Sequence, residues 1–310
     1  MSNDGDPKSG GNAAPRIFHF LTPLPNVSPF DVNMAIDSGF AVASYTGIAL
    51  GDVTALTQDA MFSRAPQDAP KTCLFIGGRD AALAMEMAEA ARKAMFPPFQ
   101  NSVFADPNGA FTTAAAMIAC VERQLRRDGV GTLAGRRVVV IGAKGIVGGI
   151  AGLIAAEAGA DVTLVAHDRS STVAEKVADF EKRFHVKMAA AVGSTSDERK
   201  AALRDAEVVL AAGRAGVQVV SRDELAAASG ALKVVVDVNA VPPLGVEGLA
   251  VDADGVPLGI GNAKGIGALA VGNIKFKTQH RLLRRIHAAD KAYFIAYREA
   301  YEAAKELAAS

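Results

Sequence analysis

The stretch 138–149, VVVIGAKGIVGG, constrains this chain more than any other. A run of apolar β-formers enters a turn built on glycine, and an apolar helix-compatible segment leaves it. Strand, glycine turn and helix in that order make an anion cradle. The first N–H groups of a helix lack internal partners, and only glycine lets a pyrophosphate approach the backbone closely. The spacing departs from G-x-G-x-x-G. Gly145 and Gly148 hold the last two glycine positions, Ala143 stands at the first, Gly142 lies one residue early and Lys144 sits inside the turn. The surroundings strengthen the motif. A strand is expected at 137–141 and a helix at 148–157, and a second strand at Asp161–Ala166 ends on His167, Asp168 and Arg169. That acid follows the glycines by roughly 20 residues, where a ribose-binding carboxylate is expected. The β-α-β unit therefore predicts nucleotide binding by Gly142, Ala143, Lys144, Gly145, Ile146, Val147 and Gly148, with His167, Asp168 and Arg169 at the ribose.

At 310 residues the chain suggests two domains of ordinary size, and half of it is hydrophobic. Lys plus Arg and Asp plus Glu both total 33, so no net field draws the protein to nucleic acid or an anionic membrane. Trp is absent and aromatics are few, which argues against base-stacking platforms. Cys73 and Cys120 lie in apolar contexts without metal-ligand spacing, as small buried hydrophobes of a reducing compartment. Residues 1–15, rich in Gly, Asn, Asp, Ser and Pro, are expected to be a disordered leader. No signal-peptide core or membrane-length apolar run occurs, so a cytoplasmic location is expected.

Strand-like and helix-like segments alternate from residue 17 to 128. Strands are expected at Ile17–Leu21, AVASYT, KTCLFIGG and Ser102–Ala105, and helices from Pro29 and at 50–63, 80–96 and 112–127. Further strands are expected at 138–141, 162–166, 207–211 and 233–237, and one long helix at 277–309. The predicted architecture is α/β throughout. An α/β domain covers 16–130, a Rossmann-like doubly wound parallel-sheet domain covers 131–275, and a C-terminal helix over 276–310 packs back on the first domain. Ligands in such folds lie at the carboxyl ends of strands, so a cleft between the domains should be lined by post-strand loops.

Four loops are candidates for chemistry. In AAGRAGV (211–217), Ala212 and Gly213 permit close approach of a ribose or nicotinamide, or form an ordinary turn. In DVNAVPPLG (237–245), Asp237 or Asn239 is placed to bond a polar ligand or to cap its own turn. GNAKGIGALAVGNIK (261–275) reads as a glycine-rich loop opening into a helix that packs beside a flat cofactor. Lys264 there either holds a carbonyl or phosphate or is a surface lysine on a tight turn. In SPFDVNMAIDSG, Ser28 can cap a helix with Pro29 in its first position, which puts Phe30 and Asp31 in the first turn; the helix dipole alone accounts for an acid there. No nucleophile triad, metal-binding HExxH or Walker lysine motif is present, and no metal site is expected. Chemistry without those groups suits hydride transfer, in which the nicotinamide carries the reactive atom.

Taken together, SPFDVNMAIDSGF, TQDAMFSRAPQD, FIGG, FADPNGAFTTAAAM, DVNAVPP and GIGALAVGNIK resemble the NAD(P)-dependent methylene-tetrahydromethanopterin dehydrogenases of methylotrophic bacteria. The likeness runs from Ile17 to the last helix. It implies that the first domain is the pterin domain and that a methylene group bridging two nitrogens is oxidised to methenyl, with hydride passing to NAD or NADP. The resulting cation is stabilised by its own nitrogens, so the protein's task is positioning and electrostatics. The resemblance further implies catalytic roles for Asp31 and Lys264 and substrate binding by Phe30, Asn33 and Asn239. It implies a tetrahydromethanopterin-type carrier as partner, no nucleic acid or membrane, and a homo-oligomer. Asp168 favours a free ribose 2′-OH while Arg169 and Lys144 accommodate a phosphate, so NAD use with NADP tolerated is expected. A methylenetetrahydrofolate dehydrogenase, or another Rossmann dehydrogenase, is the alternative on the same fold. The folate enzymes' Tyr–Lys pair is missing, since Ala49 stands four residues after Tyr45. A non-catalytic NAD(P) sensor is the alternative from another class.

Overall fold

Short, continuous apolar runs become strands covered on both faces, as a parallel sheet between helix layers requires. TCLFI, SVFA, VVLA and VVVD are buried along their whole lengths. The computed structural model describes residues 14–228 and 230–309; of the expected leader, residues 1–13 lie outside the described residues. The first part of the chain contains β1 (Ile17–Leu21), α1 (Pro29–Asp37), β2 (Ala41–Tyr45), α2 (Val53–Phe62), β3 (Thr72–Ile76), α3 (Ala81–Ala94), β4 (Ser102–Ala105) and α4 (Ala110–Arg127). There follow β5 (Arg137–Ile141), α5 (Ile146–Glu157), β6 (Asp161–Ala166), α6 (Thr172–Phe184), β7 (Ala189–Val192), α7 (Ser196–Leu203) and β8 (Val208–Ala211). The remaining elements are α8 (Arg222–Ala226), β9 (Val234–Asp237), β10 (Asp254–Pro257), β11 (Lys264–Ile266), α9 (Ala268–Ala288), β12 (Phe294–Ile295) and α10 (Tyr297–Ala309).

Two sheets result. The first has the order β12-β4-β3-β1-β2 and every pairing in it is parallel. The second has the order β10-β11-β9-β8-β5-β6-β7, parallel except for the β10–β11 pair. Counted from β5, β7 to β11 reads 3-2-1-4-5-6, the doubly wound dinucleotide-binding order, with its crevice where the order reverses between β5 and β8. No helix among the described residues is long and apolar enough to cross a membrane.

Helix α4 lies where the two halves meet, and it is buried nearly all round, as an apolar helix between layers must be. It packs against α5 of the second half and against α9 and α10. Close approach of α5 to its own sheet depends on Gly152, where a Cβ would come within 2.6 Å of the Leu164 side chain. Helix α9 leaves the second sheet after β11 and crosses to the first half, reaching α1 and α4. Helical periodicity predicts one continuous helix over 277–309, but the structure has two, α9 starting at Ala268 and α10 at Tyr297. Between them Phe294 and Ile295 pair with Val103 and Phe104 of β4, and the Val103 N–H donates to the Tyr293 carbonyl at 2.8 Å. The open edge of β4 supplies backbone partners that outweigh helix propensity across 289–296, a stretch with no Gly or Pro to announce the break. Helices α6, α7 and α8 and the strands β7, β10 and β11 add to the strands and helices expected for the second half.

Candidate active site

The carboxyl ends of β5, β6, β8 and β9 lie along one edge, because Ile141 is in register with Val165 and with Ala211, and Ala211 with Asp237. Beyond that edge is a cavity of about 530 Å³ lined by Gly142, Lys144, Gly145, His167, Gly213 and Arg214 among others. Gly142 adopts φ +87°, and a Cβ on it would lie 2.5 Å from the Ala212 carbonyl oxygen. Only glycine meets both demands. Gly148 is equally confined, since its Cβ would meet the Gly142 oxygen at 2.8 Å. Ala143, by contrast, is fully buried and takes an ordinary backbone conformation. The working spacing is thus Gly142, Gly145, Gly148, with one residue more in the first interval than G-x-G-x-x-G. A flat, phosphate-bearing dinucleotide suits this cavity, whose glycine floor leaves backbone groups open to an anion.

At the end of β6, Lys144 Nζ donates to Asp168 Oδ2 at 3.1 Å, and Ser170 donates to Asp168 Oδ1 through its N–H and its hydroxyl at 3.1 and 2.5 Å. Hydrogen bonding by Ser170 and then Lys144 holds the Asp168 carboxyl well below the usual carboxylate range. His167 Nε2 is 3.3 Å from the same Oδ2. Arg169 pairs with Glu198 on α7.

A second cluster lies where α1, the β4–α4 loop and α9 meet. Ser28 caps α1, and Asp31 in its first turn is only 2% exposed. Asp31 Oδ1 accepts from Gln279 Nε2 at 2.6 Å, and Gln279 Oε1 accepts from Lys275 Nζ at 2.7 Å. Lys275 and Gln279 are one helical turn apart on α9, so a single helix face presents both. The Lys275 ammonium also rests 3.6 Å from the centre of the Phe30 ring, a cation–π contact. Phe30 remains 45% exposed, so part of its ring is open to solvent. Asp106, fully buried, accepts from the N–H groups of Phe111 and Thr112 at 2.9 and 3.1 Å and from the Thr112 hydroxyl at 2.6 Å. It thereby takes up donors at the start of α4. Gly109 has to be small, as a Cβ there would press on the end of Lys275 at 3.2 Å.

Burial raises the Asp31 carboxyl above its ordinary value against the pull of the Gln279 hydrogen bond and the Lys275 charge. Burial likewise pushes Asp106 up to about 6, and it lowers Lys275, whose ammonium Asp106 and Asp31 both support. All three groups are poised by desolvation. They form a desolvated cluster of ionisable groups, the environment in which electrostatic effects on a reacting group are largest.

The structure brings together Phe30 and Asp31 but not the other sequence candidates of the pterin side. Lys264 opens strand β11 instead of lying in a loop, and it pairs with Val234 at the amino-terminal edge of the sheet, opposite the ligand edge. The ammonium beside Asp31's partner belongs to Lys275. Asn33 is exposed, two residues and so about 200° round the helix from Asp31. Asn239 is 3% exposed and organises loops: its Oδ1 accepts from Gly216 and Val241, its amide donates to the Pro243 carbonyl, and its N–H donates to Asp237. Of its two sequence readings the structure shows the Asx turn. Lys275, Gln279, Asp106 and Thr112 were not distinguished by sequence. The signal available was the i, i+4 spacing of Lys275 and Gln279 beside the buried positions Val271, Ile274, Thr278 and Leu282.

The sequence model for the N-terminal part of methylene-tetrahydromethanopterin dehydrogenase matches residues 29–108. The chain is also 48% identical over 293 residues to the NAD(P)-dependent methylenetetrahydromethanopterin dehydrogenase of Methylorubrum extorquens, covering 94% of this chain and 98% of that protein. It belongs to this dehydrogenase family. The bifunctional protein MdtA of the same organism is 31% identical over 284 residues, covering 91% of this chain and 95% of that protein. Among solved structures, ornithine carbamoyltransferase from Pyrococcus furiosus matches with a TM-score of 0.51 at 12% identity, over 89% of this chain and 86% of that one. That likeness is one of fold alone. The segment matched by the dehydrogenase model includes Phe30, Asp31 and Asp106 and stops before α9, which brings Lys275 and Gln279 to them.

Proposed function

We propose that this chain oxidises the methylene group of a tetrahydromethanopterin-type one-carbon carrier to methenyl by direct hydride transfer to NAD or NADP. One observation carries the mechanism: a buried Asp31–Gln279–Lys275 chain beside an open Phe30 face, in a molecule whose second sheet presents a dinucleotide cavity. Bound at the glycine turn, NAD(P) supplies the hydride acceptor. The carrier's methylene carbon gives up hydride with its bonding pair, and the positive charge left behind is shared by the two flanking nitrogens. No proton has to be removed, so no general base is needed.

The chain's own residues supply position and charge. The exposed face of Phe30 stacks against the planar pterin. Gln279 keeps Asp31 and Lys275 bridged, and the Ser28 side chain adds a second hydrogen bond to the Asp31 carboxyl. An ionised Asp31 facing the developing cation lowers the barrier, because a fixed charge in a dry site costs no reorganisation when the reaction occurs. Lys275 offers its remaining donors to carbonyl or ring-nitrogen acceptors of the pterin. At the adenosine end, Asp168 accepts from the ribose 2′-OH of NAD, and Lys144 beside it receives the 2′-phosphate of NADP. The same proposal has the protein working in the cytoplasm as a homo-oligomer.

The test is direct. Purified protein is mixed with methylene-tetrahydromethanopterin and NAD or NADP, and methenyl absorbance and reduced nicotinamide are followed together. Equal appearance of both products is expected. Absence of turnover with either nucleotide refutes the proposal, and turnover only with methylenetetrahydrofolate reassigns the carrier.

A further inference from the structure

The extra residue in the first glycine interval lengthens the turn between β5 and α5. The Gly145 N–H closes back on the Gly142 carbonyl at 3.1 Å. The carbonyls of Ala143, Lys144 and Gly145 converge on one atom, Lys176 Nζ of α6, at 2.9, 2.8 and 3.2 Å. An ammonium has three donors and no acceptor, so this lysine is saturated by three consecutive peptide units. Lys176 forms no ion pair among the described residues, and burial lowers its basicity. A half-buried lysine that caps three turn carbonyls has a local task.

The peptide geometry shows what that task is. In a trans peptide the C=O and the following N–H point in opposite directions. Gathering the three carbonyls behind the turn therefore directs the N–H groups of Lys144 and Ile146 to the opposite side, where the α5 N-terminus opens. The ammonium also polarises those peptides and adds a positive charge behind the cradle, reinforcing the helix dipole. Gly149 makes the arrangement possible, because a Cβ there would lie 3.0 Å from Lys176 Nζ.

We propose that Lys176 is a positioning residue for the dinucleotide pyrophosphate. It locks the lengthened Gly142–Gly145 turn so that its N–H groups face the anion, and it does so without touching the nucleotide. This inference rests on the NAD(P) use proposed above, and the titration separates the two: wild-type protein that binds neither NADH nor NADPH overturns both, whereas wild-type binding that Lys176→Met leaves unchanged overturns this one alone.

The experiment compares wild type, Lys176→Met and Gly149→Ala by NADH and NADPH fluorescence titration and by steady-state kinetics. Lys176→Met keeps the aliphatic stem and removes the charge and donors. It is expected to weaken NADH and NADPH alike, by about tenfold, since both share the pyrophosphate. The KM for the pterin and the kcat at saturating nucleotide stay within about twofold of wild type. Gly149→Ala favours the helix while displacing the ammonium, so it should keep or raise thermal stability and still weaken both nucleotides. Should Lys176→Met fail to fold, Gly149→Ala decides. Dinucleotide affinity unchanged in the soluble variants overturns the proposal, as does a parallel loss of pterin and nucleotide affinity, which marks a general structural role.

Discussion

Asp106→Asn tests whether the acid behind Lys275 is desolvated as the structure requires. The substitution preserves shape and one acceptor for the Phe111 and Thr112 N–H groups, and the Thr112 hydroxyl can turn to accept from the new amide. Asp106 titrates near its ordinary 3.8 when unfolded and at about 6 when folded. The sign follows from that order. Below the unfolded value both states are protonated and the buried acid is neutral at no electrostatic cost. As pH rises toward about 6 the unfolded state loses its proton first, so the folded protein loses stability; above that the loss is complete. A difference of about 2 units corresponds to about 3 kcal/mol, or a melting shift of roughly 6 °C at about 2 °C per kcal/mol for a chain of this size. Wild type and Asp106→Asn should therefore be compared by denaturant and thermal unfolding from pH 4 to 7.5. Asp31 and Asp237, also raised by burial, titrate in both proteins and cancel to first order. The stability of wild type relative to the variant is expected to fall through this range and level off above pH 6. A gap independent of pH would falsify the desolvated acid. A second readout concerns the site: without the Asp106 charge Lys275 loses support for its ammonium, so the alkaline limb of the pH–rate profile moves to lower pH.

Three further outcomes are expected. Gln279→Leu removes the donor at 2.6 Å from Asp31 Oδ1, a hydrogen bond to a charged group worth about 1.5–3 kcal/mol, so the Asp31 carboxyl, already raised by burial, rises further. The acid limb of kcat/KM then shifts to higher pH, and an unmoved limb would sever Asp31 from turnover. Asp168→Ala should raise the KM for NAD about tenfold while leaving or lowering that for NADP, because Lys144 is released to the 2′-phosphate; an unaltered NAD-to-NADP ratio removes Asp168 from the ribose site. Gly142→Ala combines an unfavourable φ of +87° with a Cβ 2.5 Å from the Ala212 oxygen, about 1–2 kcal/mol of backbone strain and about 1–3 kcal/mol of overpacking. NADH binding should be lost in titration, and retention of wild-type affinity would show that the turn is not the cradle.

The fold was legible where local sequence and tertiary demand coincide. The strand pattern of β1, β3, β4, β5, β6, β8 and β9 is written in short apolar runs, and the glycine turn follows from positions that no side chain can occupy. What stayed hidden was decided by pairing. Strand β12 exists because the edge of β4 is open, although YFIAYREAY has helical spacing. Strand β7, with the sequence AAAV and half-exposed, carries little β signal of its own and is fixed by its pairing with β6.

The same distinction governs the site. The position of Phe30 and Asp31 was readable, because a strand, a serine cap and a first-turn acid place them at a sheet's carboxyl edge through local rules, while their candidate role came only with the family resemblance. Lys264 and Lys275 share one glycine-rich stretch and one charge, and local rules do not rank them. Register does: Lys264 begins β11 and so belongs to the far edge, whereas α9 starts after Gly267 at the ligand edge and carries Lys275 and Gln279 across to α1. Gly267 has to be glycine for that exit, since a Cβ would lie 2.3 Å from the Ala250 carbonyl oxygen. The acid comes from one domain and its lysine and glutamine partners come from the helix that leaves the other. The charged chain is complete only when both are folded and docked, which makes the placement of α9, and not any single motif, the determinant of the site.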